Sequence, residues 1–221
     1  MTAVSAHLVS PSGSELAALV PPSGPHGRVV LGLCGSPGAG KTSLAEHLVH
    51  ALLAAGRIAA HVPMDGFHLA DAELARQGLS ARKGAPETFD AWGYAALLAR
   101  LAERPPYPVY VPGFDRTLEQ PLAAAASVGP EVEVVVTEGN YLLLDRPEWR
   151  AVRGALDEVW FVTAEEPVRT ARLLARHVEF GKETDEARAW MASVDEPNAR
   201  LIEASRGRAD RELDLTGWRP A

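Results

Sequence analysis

The chain has 221 residues and a formal net charge of −7, with 22 Lys and Arg against 29 Asp and Glu. Hydrophobic residues make up 47% and charged residues 23%, which excludes wholesale disorder and collagen-like repeats and leaves one large domain or two small ones. An acidic chain without a basic stripe is a poor candidate for nucleic acid. No apolar run approaches the roughly 18 residues of a membrane span, and the start of the chain lacks the pattern of a signal peptide.

Residues 1–27 are rich in Ser, Pro and Gly and read as a flexible N-terminal segment, with a helical turn at Leu16–Val20. From Arg28 onward the pattern is that of a single domain over residues 28–221. Val29–Cys34 is a continuous apolar run, as in a strand buried on both faces. Leu44, Leu48 and Leu52 then repeat at helical spacing, Gly56 stops that helix, and Ile58–Val62 reads as the next strand. Helices are predicted at Asp71–Gln77, Asp90–Glu103, Pro147–Leu156, Glu166–Val178, Asp185–Ala192 and Pro197–Ser205. Strands are predicted at Tyr107–Val111, Val132–Thr137, Glu158–Val162 and Arg211–Leu215. Residues 78–87 read as loop, and residues 112–130 show no clear periodicity. This alternation predicts an α/β fold, a parallel sheet with helices on both faces.

Gly35-Ser36-Pro37-Gly38-Ala39-Gly40-Lys41-Thr42 satisfies G-x-x-x-x-G-K-[ST] between a buried strand and a helix. Glycines at these places let successive N–H groups close around phosphate oxygens, and the helix start adds its positive end. Lys41 supplies a point charge to the β- and γ-phosphates, and the Thr42 hydroxyl ligates Mg²⁺. Gly35 to Thr42, with Ser43, are therefore the candidate ATP-binding residues of a P-loop NTPase fold. Neither an Asn-Lys-x-Asp element nor a strand ending in Asp-x-x-Gly is present, so a GTPase is not indicated. The length suits a small-molecule phosphotransferase.

Two acidic residues follow predicted strands. In a parallel sheet the carboxyl ends of neighbouring strands open onto one crevice. Asp65 would share that rim with the phosphate loop, as general base for an acceptor hydroxyl or as a metal ligand. An Asp-Gly turn is the plainer alternative. Glu138 stands where a second acidic group binds Mg²⁺. Arg169, Arg172 and Arg176 share one helical face. Such a stripe is either a solvated surface or, with a lid near residues 178–186, the source of catalytic arginines, Arg172 and Arg176 ahead of Arg169.

These motifs together resemble the P-loop kinase family of uridine kinase, phosphoribulokinase and bacterial pantothenate kinase. Met64-Asp65-Gly66-Phe67-His68 is similar to its Asp-Gly-Phe or Asp-Ser-Phe element, whose aspartate serves as base. Residues Arg82-Lys83-Gly84-Ala85-Pro86-Glu87-Thr88-Phe89-Asp90 resemble a pantothenate kinase segment. Val109 to Asp115 resembles the uridine kinase strand-and-turn that meets the acceptor, with Arg116 where those enzymes carry histidine. Thr137-Glu138-Gly139-Asn140 matches the family's Glu-Gly strand end. The resemblance spans about Arg28 to Leu215 and extends to short bacterial members described as nucleoside/nucleotide or fructose-transport-associated kinases. It implies Phe67, His68, Arg82, Lys83, Tyr110 and Arg116, with Asp65, as acceptor-side residues. Arg82, Lys83 and Arg116 hint at an anionic acceptor, although Arg82 could equally pair with Glu87.

The reading is an ATP- and Mg²⁺-dependent kinase acting on a hydroxyl of a small metabolite such as a nucleoside, pantothenate or a sugar. Its alternative is a P-loop ATPase coupled to a protein partner. The sole cysteine, Cys34, permits no intrachain disulfide, and a cytoplasmic location follows as a mild expectation. Oligomeric state is open, a homodimer included.

Overall fold

The computed structural model describes residues 7–9 and 11–219. Among these residues, eight strands and eight helices run in the order β1 (His7–Val9), α1 (Gly13–Leu19), β2 (Val29–Cys34), α2 (Lys41–Ala54), β3 (Ala59–Pro63), α3 (Asp71–Gln77), α4 (Ala91–Ala102), β4 (Val109–Asp115), β5 (Gln120–Val128), β6 (Val134–Gly139), α5 (Pro147–Gly154), β7 (Glu158–Thr163), α6 (Glu166–Glu179), α7 (Thr184–Trp190), α8 (Glu196–Glu203) and β8 (Arg211–Asp214). Six strands form one sheet in the order β1-β8-β7-β2-β6-β3, every neighbouring pair parallel. All residues of β2 and β6 are buried, as strands covered on both faces must be. One face packs Val29, Leu31 and Leu33 against Leu44 and Leu48 of α2; the other packs Val30 and Cys34 in a cluster with Leu98 of α4 and Trp149 of α5.

The predicted α/β fold is therefore the one observed, with four differences. First, the described part of residues 1–27 is docked. Ser12 caps α1 reciprocally with Glu15, and Leu16, Ala17 and Val20 are buried beside α2. Residues 1–6 and 10 lie outside the described residues. Second, the strand predicted at Tyr107–Val111 does not join the main sheet. It runs on to Asp115 and pairs antiparallel with β5 in a separate hairpin. Third, the stretch read as loop over residues 78–87 holds a tight helical turn at Ser80–Arg82 and the start of another at Pro86–Thr88. Fourth, α7 and α8 are joined through a π turn at Met191–Asp195. Pro197 has no N–H for the carbonyl four residues back, and the wider turn carries the helix past it.

Arg28 is 1% exposed and unites three segments. Its guanidinium donates to the carbonyls of Val132 (2.8 Å), Leu101 (3.0 Å) and Gly129 (2.6 Å). Arg28→Ala strands those acceptors and leaves a cavity, so a loss on the order of 3 kcal/mol is expected. That corresponds to a Tm lower by about 6–12 °C in a chain of this size. Thermal unfolding checks it; a drop under about 2 °C would mean that water replaces the guanidinium without penalty.

Candidate active site

The register explains why the site forms where it does. Cys34 at the end of β2 pairs with Gly139 of β6, and Pro63 at the end of β3 pairs with Glu138. The phosphate loop, Glu138 and Asp65 therefore emerge along one rim. Gly40 caps α2 with φ +101°, a left-handed backbone that suits glycine and aims the next N–H groups into the loop. Lys41, 8% exposed, donates from Nζ to the Ser36 carbonyl (3.2 Å), and burial lowers its ammonium pKa. Thr42 Oγ1 donates to Glu138 Oε1 at 3.2 Å. This hydroxyl–carboxylate pair could hold a metal.

Asp65 lies in the tight turn Met64–Phe67 directly after β3. Its Oδ2 accepts from Arg116 Nη2 at 2.7 Å, and its Oδ1 is 4.0 Å from His68 Nε2. Burial pushes His68 down to about 4, so its imidazole is neutral near pH 7. Two adjoining clefts open here. One, of about 330 Å³, is lined by Asp65, His68, Lys83, Phe114 and Glu138. The other, of about 470 Å³, runs along Gly38, Gly40, Ser43 and Arg172. Lys41, Thr42, Arg116 and Arg176 border both. Lys41, Arg172 and Arg176 around the glycine loop suit a polyphosphate, and an acceptor fits the first cleft.

Not every predicted site residue is brought there. Arg82 is bound to Glu87, Nε to Oε1 at 2.6 Å, with its side chain 61% exposed. Tyr110 is 68% exposed on the hairpin, and Phe67 packs 4.8 Å from Tyr94; neither lines a cleft. These three depart from the expected acceptor-side set. Lys83 reaches the cleft but is held by Asp71 Oδ1 (2.7 Å) and the Glu119 carbonyl (2.6 Å). The arginine stripe divides. Arg172 and Arg176 face the clefts, whereas Arg169 is buried, donating to the Pro37 carbonyl (3.3 Å) and to Glu196 Oε1 (2.7 Å). It braces the phosphate loop against α8. Sequence reading missed Phe114, Phe180 and Trp190, whose rings line the first cleft, and the His177–Asp195 pair (2.8 Å) beside them.

Glu138 is pushed up to about 7, first by burial and then by the Asp65 charge, with Lys41 and the Thr42 hydroxyl opposing. His61 Nε2 lies 3.9 Å away but is neutral near pH 7, its pKa lowered by burial. Folded Glu138 keeps a proton that the unfolded chain releases near 4.5. Its contribution to stability therefore falls as pH rises from 4.5 to 7, by about 3 kcal/mol in all. Removing the titration by Glu138→Gln is expected to make the variant progressively more stable than the parent across that window, in protein free of nucleotide and metal. His68 works oppositely, gaining stability from pH 4 to 6.5, but is common to both proteins and cancels in the difference. A difference flat from pH 5 to 8 in denaturant titrations would refute the raised pKa.

A G-x-x-x-x-G-K-[ST] loop at the end of a parallel strand, with two carboxylates on the same rim, is the arrangement of a P-loop kinase. The chain belongs to that family. It is 38% identical over 133 residues to the ATP-dependent kinase-like protein notR′ of Aspergillus versicolor, covering 57% of this chain and 77% of that protein. A Schizosaccharomyces pombe protein named as a candidate uridine kinase is 34% identical over 160 residues, 70% of this chain and 68% of its own. Among solved structures, a Silicibacter protein described as a candidate fructose transport system kinase superposes with TM-score 0.83 at 40% identity, covering 91% and 98% of the two chains. No protein-family model matches. These relatives mark the chain as an ATP-using phosphotransferase. Among the described residues no helix is long and apolar enough to cross a membrane.

Proposed function

We propose that the protein transfers the γ-phosphoryl group of Mg²⁺-bound ATP to a hydroxyl of a small metabolite. The observation that carries this reading is Asp65, a carboxylate at the junction between the phosphate loop and a second, open cleft. An ATPase driven by a protein partner needs no such cleft. In the reaction the acceptor oxygen forms a bond to the γ-phosphorus, the bond from that phosphorus to the bridging oxygen breaks, and ADP leaves. The hydroxyl proton passes to Asp65. Lys41 and Arg176 meet the charge that spreads over the transferring group.

The donor set fits Mg²⁺. Among the described residues no three His, Cys, Asp or Glu side chains form a protein-only metal cage, and Mg²⁺ typically takes one or two protein oxygens with phosphate and water completing its shell. Thr42 and Glu138 would supply those oxygens. The metal would neutralise charge developing between the β- and γ-phosphates.

The test is ATP consumption with nucleosides, sugars, sugar phosphates and hydroxy acids. Metabolite-dependent turnover with a phosphorylated product is expected; stimulation by a protein alone would favour the ATPase. The lid arginines supply a further prediction. Arg176 borders both clefts, so Arg176→Ala should lower kcat about 10²–10³-fold and weaken ATP binding much less. Arg172, on the phosphate side and hydrogen-bonded to the Leu215 carbonyl (3.1 Å), should affect affinity and rate alike. Comparable losses of kcat and ATP affinity in Arg176→Ala would place it in ground-state binding.

A further inference from the structure

Building on that kinase reading, we propose that the acceptor is a small hydroxylated anion, a carboxylate or phosphate monoester, whose negative group sits close to the reacting hydroxyl and is held by Arg116. Arg116 follows β4 at the turn of the hairpin, and its Nη2 lies 2.7 Å from Asp65 Oδ2. Its guanidinium lies 5.4 Å from the centre of the Phe114 ring and 5.9 Å from that of Phe180, which places it between the hairpin and the turn after α6. The backbone sets this separation. A Cβ on Gly66 would lie 2.7 Å from the Pro112 carbonyl, so the hairpin is seated directly on the turn that carries Asp65.

The charge balance at this pair points to an anionic acceptor. Of the other cations of the cleft, Lys41 and Arg176 are assigned to the transferring phosphoryl group, and two are already matched: Lys83 by Asp71 (2.7 Å), and Lys182 by Glu186 (3.5 Å) and the Trp190 ring (4.8 Å). Arg116 has Asp65, the group assigned to take the hydroxyl proton. Once that proton arrives, Asp65 is neutral and Arg116 faces the like charge of Arg176. His68, neutral and beside Asp65, changes nothing in this balance. A negative group on the acceptor restores the missing counter-charge, and a guanidinium keeps donors to offer it after Asp65 takes one.

The same geometry limits the acceptor's shape. With Asp65 and Arg116 in contact, a hydroxyl on one and an anionic oxygen on the other lie side by side, within roughly 5 Å at ordinary hydrogen-bond lengths. Hydroxyls two to four carbons from a carboxylate, or similarly near a phosphate, meet that limit. Neutral polyols lack the anion, and a long arm between the two groups places it out of reach.

The experiment compares three sets of acceptors with the full chain and Mg²⁺-ATP, following ADP release and the phosphorylated product. The near-anion set is glycerate, erythronate and glycerol 3-phosphate; the neutral set is glycerol and erythritol; the remote-anion set is pantothenate and 6-hydroxyhexanoate. At least one near-anion compound is expected to exceed every neutral and remote compound by about 100-fold in kcat/KM. Its carboxylate or phosphate then tells which anion the site takes. Arg116→Gln should narrow that gap to under about tenfold, chiefly through KM, and Arg116→Lys should restore part of it. Preference for a neutral or remote-anion acceptor, or a gap unchanged in Arg116→Gln, overturns the proposal and leaves the kinase reading standing. Product from a nucleoside or neutral sugar but from none of the near-anion compounds overturns the proposal alone, and no product from any acceptor, nucleosides and sugars included, with ATP still bound, overturns both.

Discussion

Lys41→Ala is expected to fold and to lose turnover by about 10²–10³-fold, equivalent to about 3–4 kcal/mol of transition-state stabilisation. The side chain is buried inside the phosphate loop, its one hydrogen-bond partner among the described residues being the Ser36 carbonyl, and burial already works against its charge. In the nucleotide-free protein it therefore contributes little to stability. Its charge becomes useful when phosphate oxygens enter, and most useful as charge spreads over the transferring group. Thermal unfolding without nucleotide should show a Tm equal to or above that of the parent. Glu138 should also hold its proton to a higher pH, because Lys41 is the principal charge favouring its ionised form. Turnover within threefold of the parent would remove the phosphate loop from the mechanism.

Much of this site was legible because its parts lie at strand ends. The G-x-x-x-x-G-K-[ST] pattern, Asp65 and Glu138 each follow an apolar run, and a parallel sheet delivers such positions to one rim. What the sequence concealed depends on tertiary partners. The hairpin was missed because β5 is mostly exposed and its centre is alanine, leaving neither a buried face nor β-branched residues to show a period of two. The helix α1 was hidden in a Ser/Pro/Gly-rich stretch, although Ser12 and Glu15 stand at capping-box spacing ahead of Leu16 and could have marked it.

The arginines teach a related lesson. Arg169, Arg172 and Arg176 look equivalent on a helical wheel, yet one braces the loop while two face the clefts. Only the position of α8, with Glu196, separates them. Arg82 and Arg116 looked alike as acceptor cations. The first has Glu87 five residues away and closes a local turn; the second reaches across 51 residues to Asp65. Arg28 carried no sequence signal at all, since its partners are backbone carbonyls of distant segments. Phe114, Phe180 and Trp190 come from the hairpin, the turn after α6 and α7, and converge only once the chain is folded.

Asp65→Asn is expected to lower turnover by about 10²–10³-fold while ATP–Mg²⁺ binding survives. Asparagine keeps the size of the side chain and a carbonyl oxygen that can still accept from Arg116, so the cleft keeps its shape. It cannot take the hydroxyl proton. General-base loss costs roughly 10²–10⁴ in rate, and a loose, metaphosphate-like transfer depends less on a base, which selects the lower half of that range. A second readout needs no turnover. The Asp65 charge is the main neighbouring cause of the raised Glu138 pKa, so the variant should let Glu138 ionise at lower pH. The stability difference between Glu138→Gln and the parent, measured again in the Asp65→Asn background, should then complete its rise at lower pH. Turnover beside an ATP titration at several Mg²⁺ concentrations decides the role. Intact binding with lost turnover assigns the base, whereas a loss of binding that excess Mg²⁺ restores assigns Asp65 to the metal. Full activity would place the acceptor elsewhere and overturn the kinase reading.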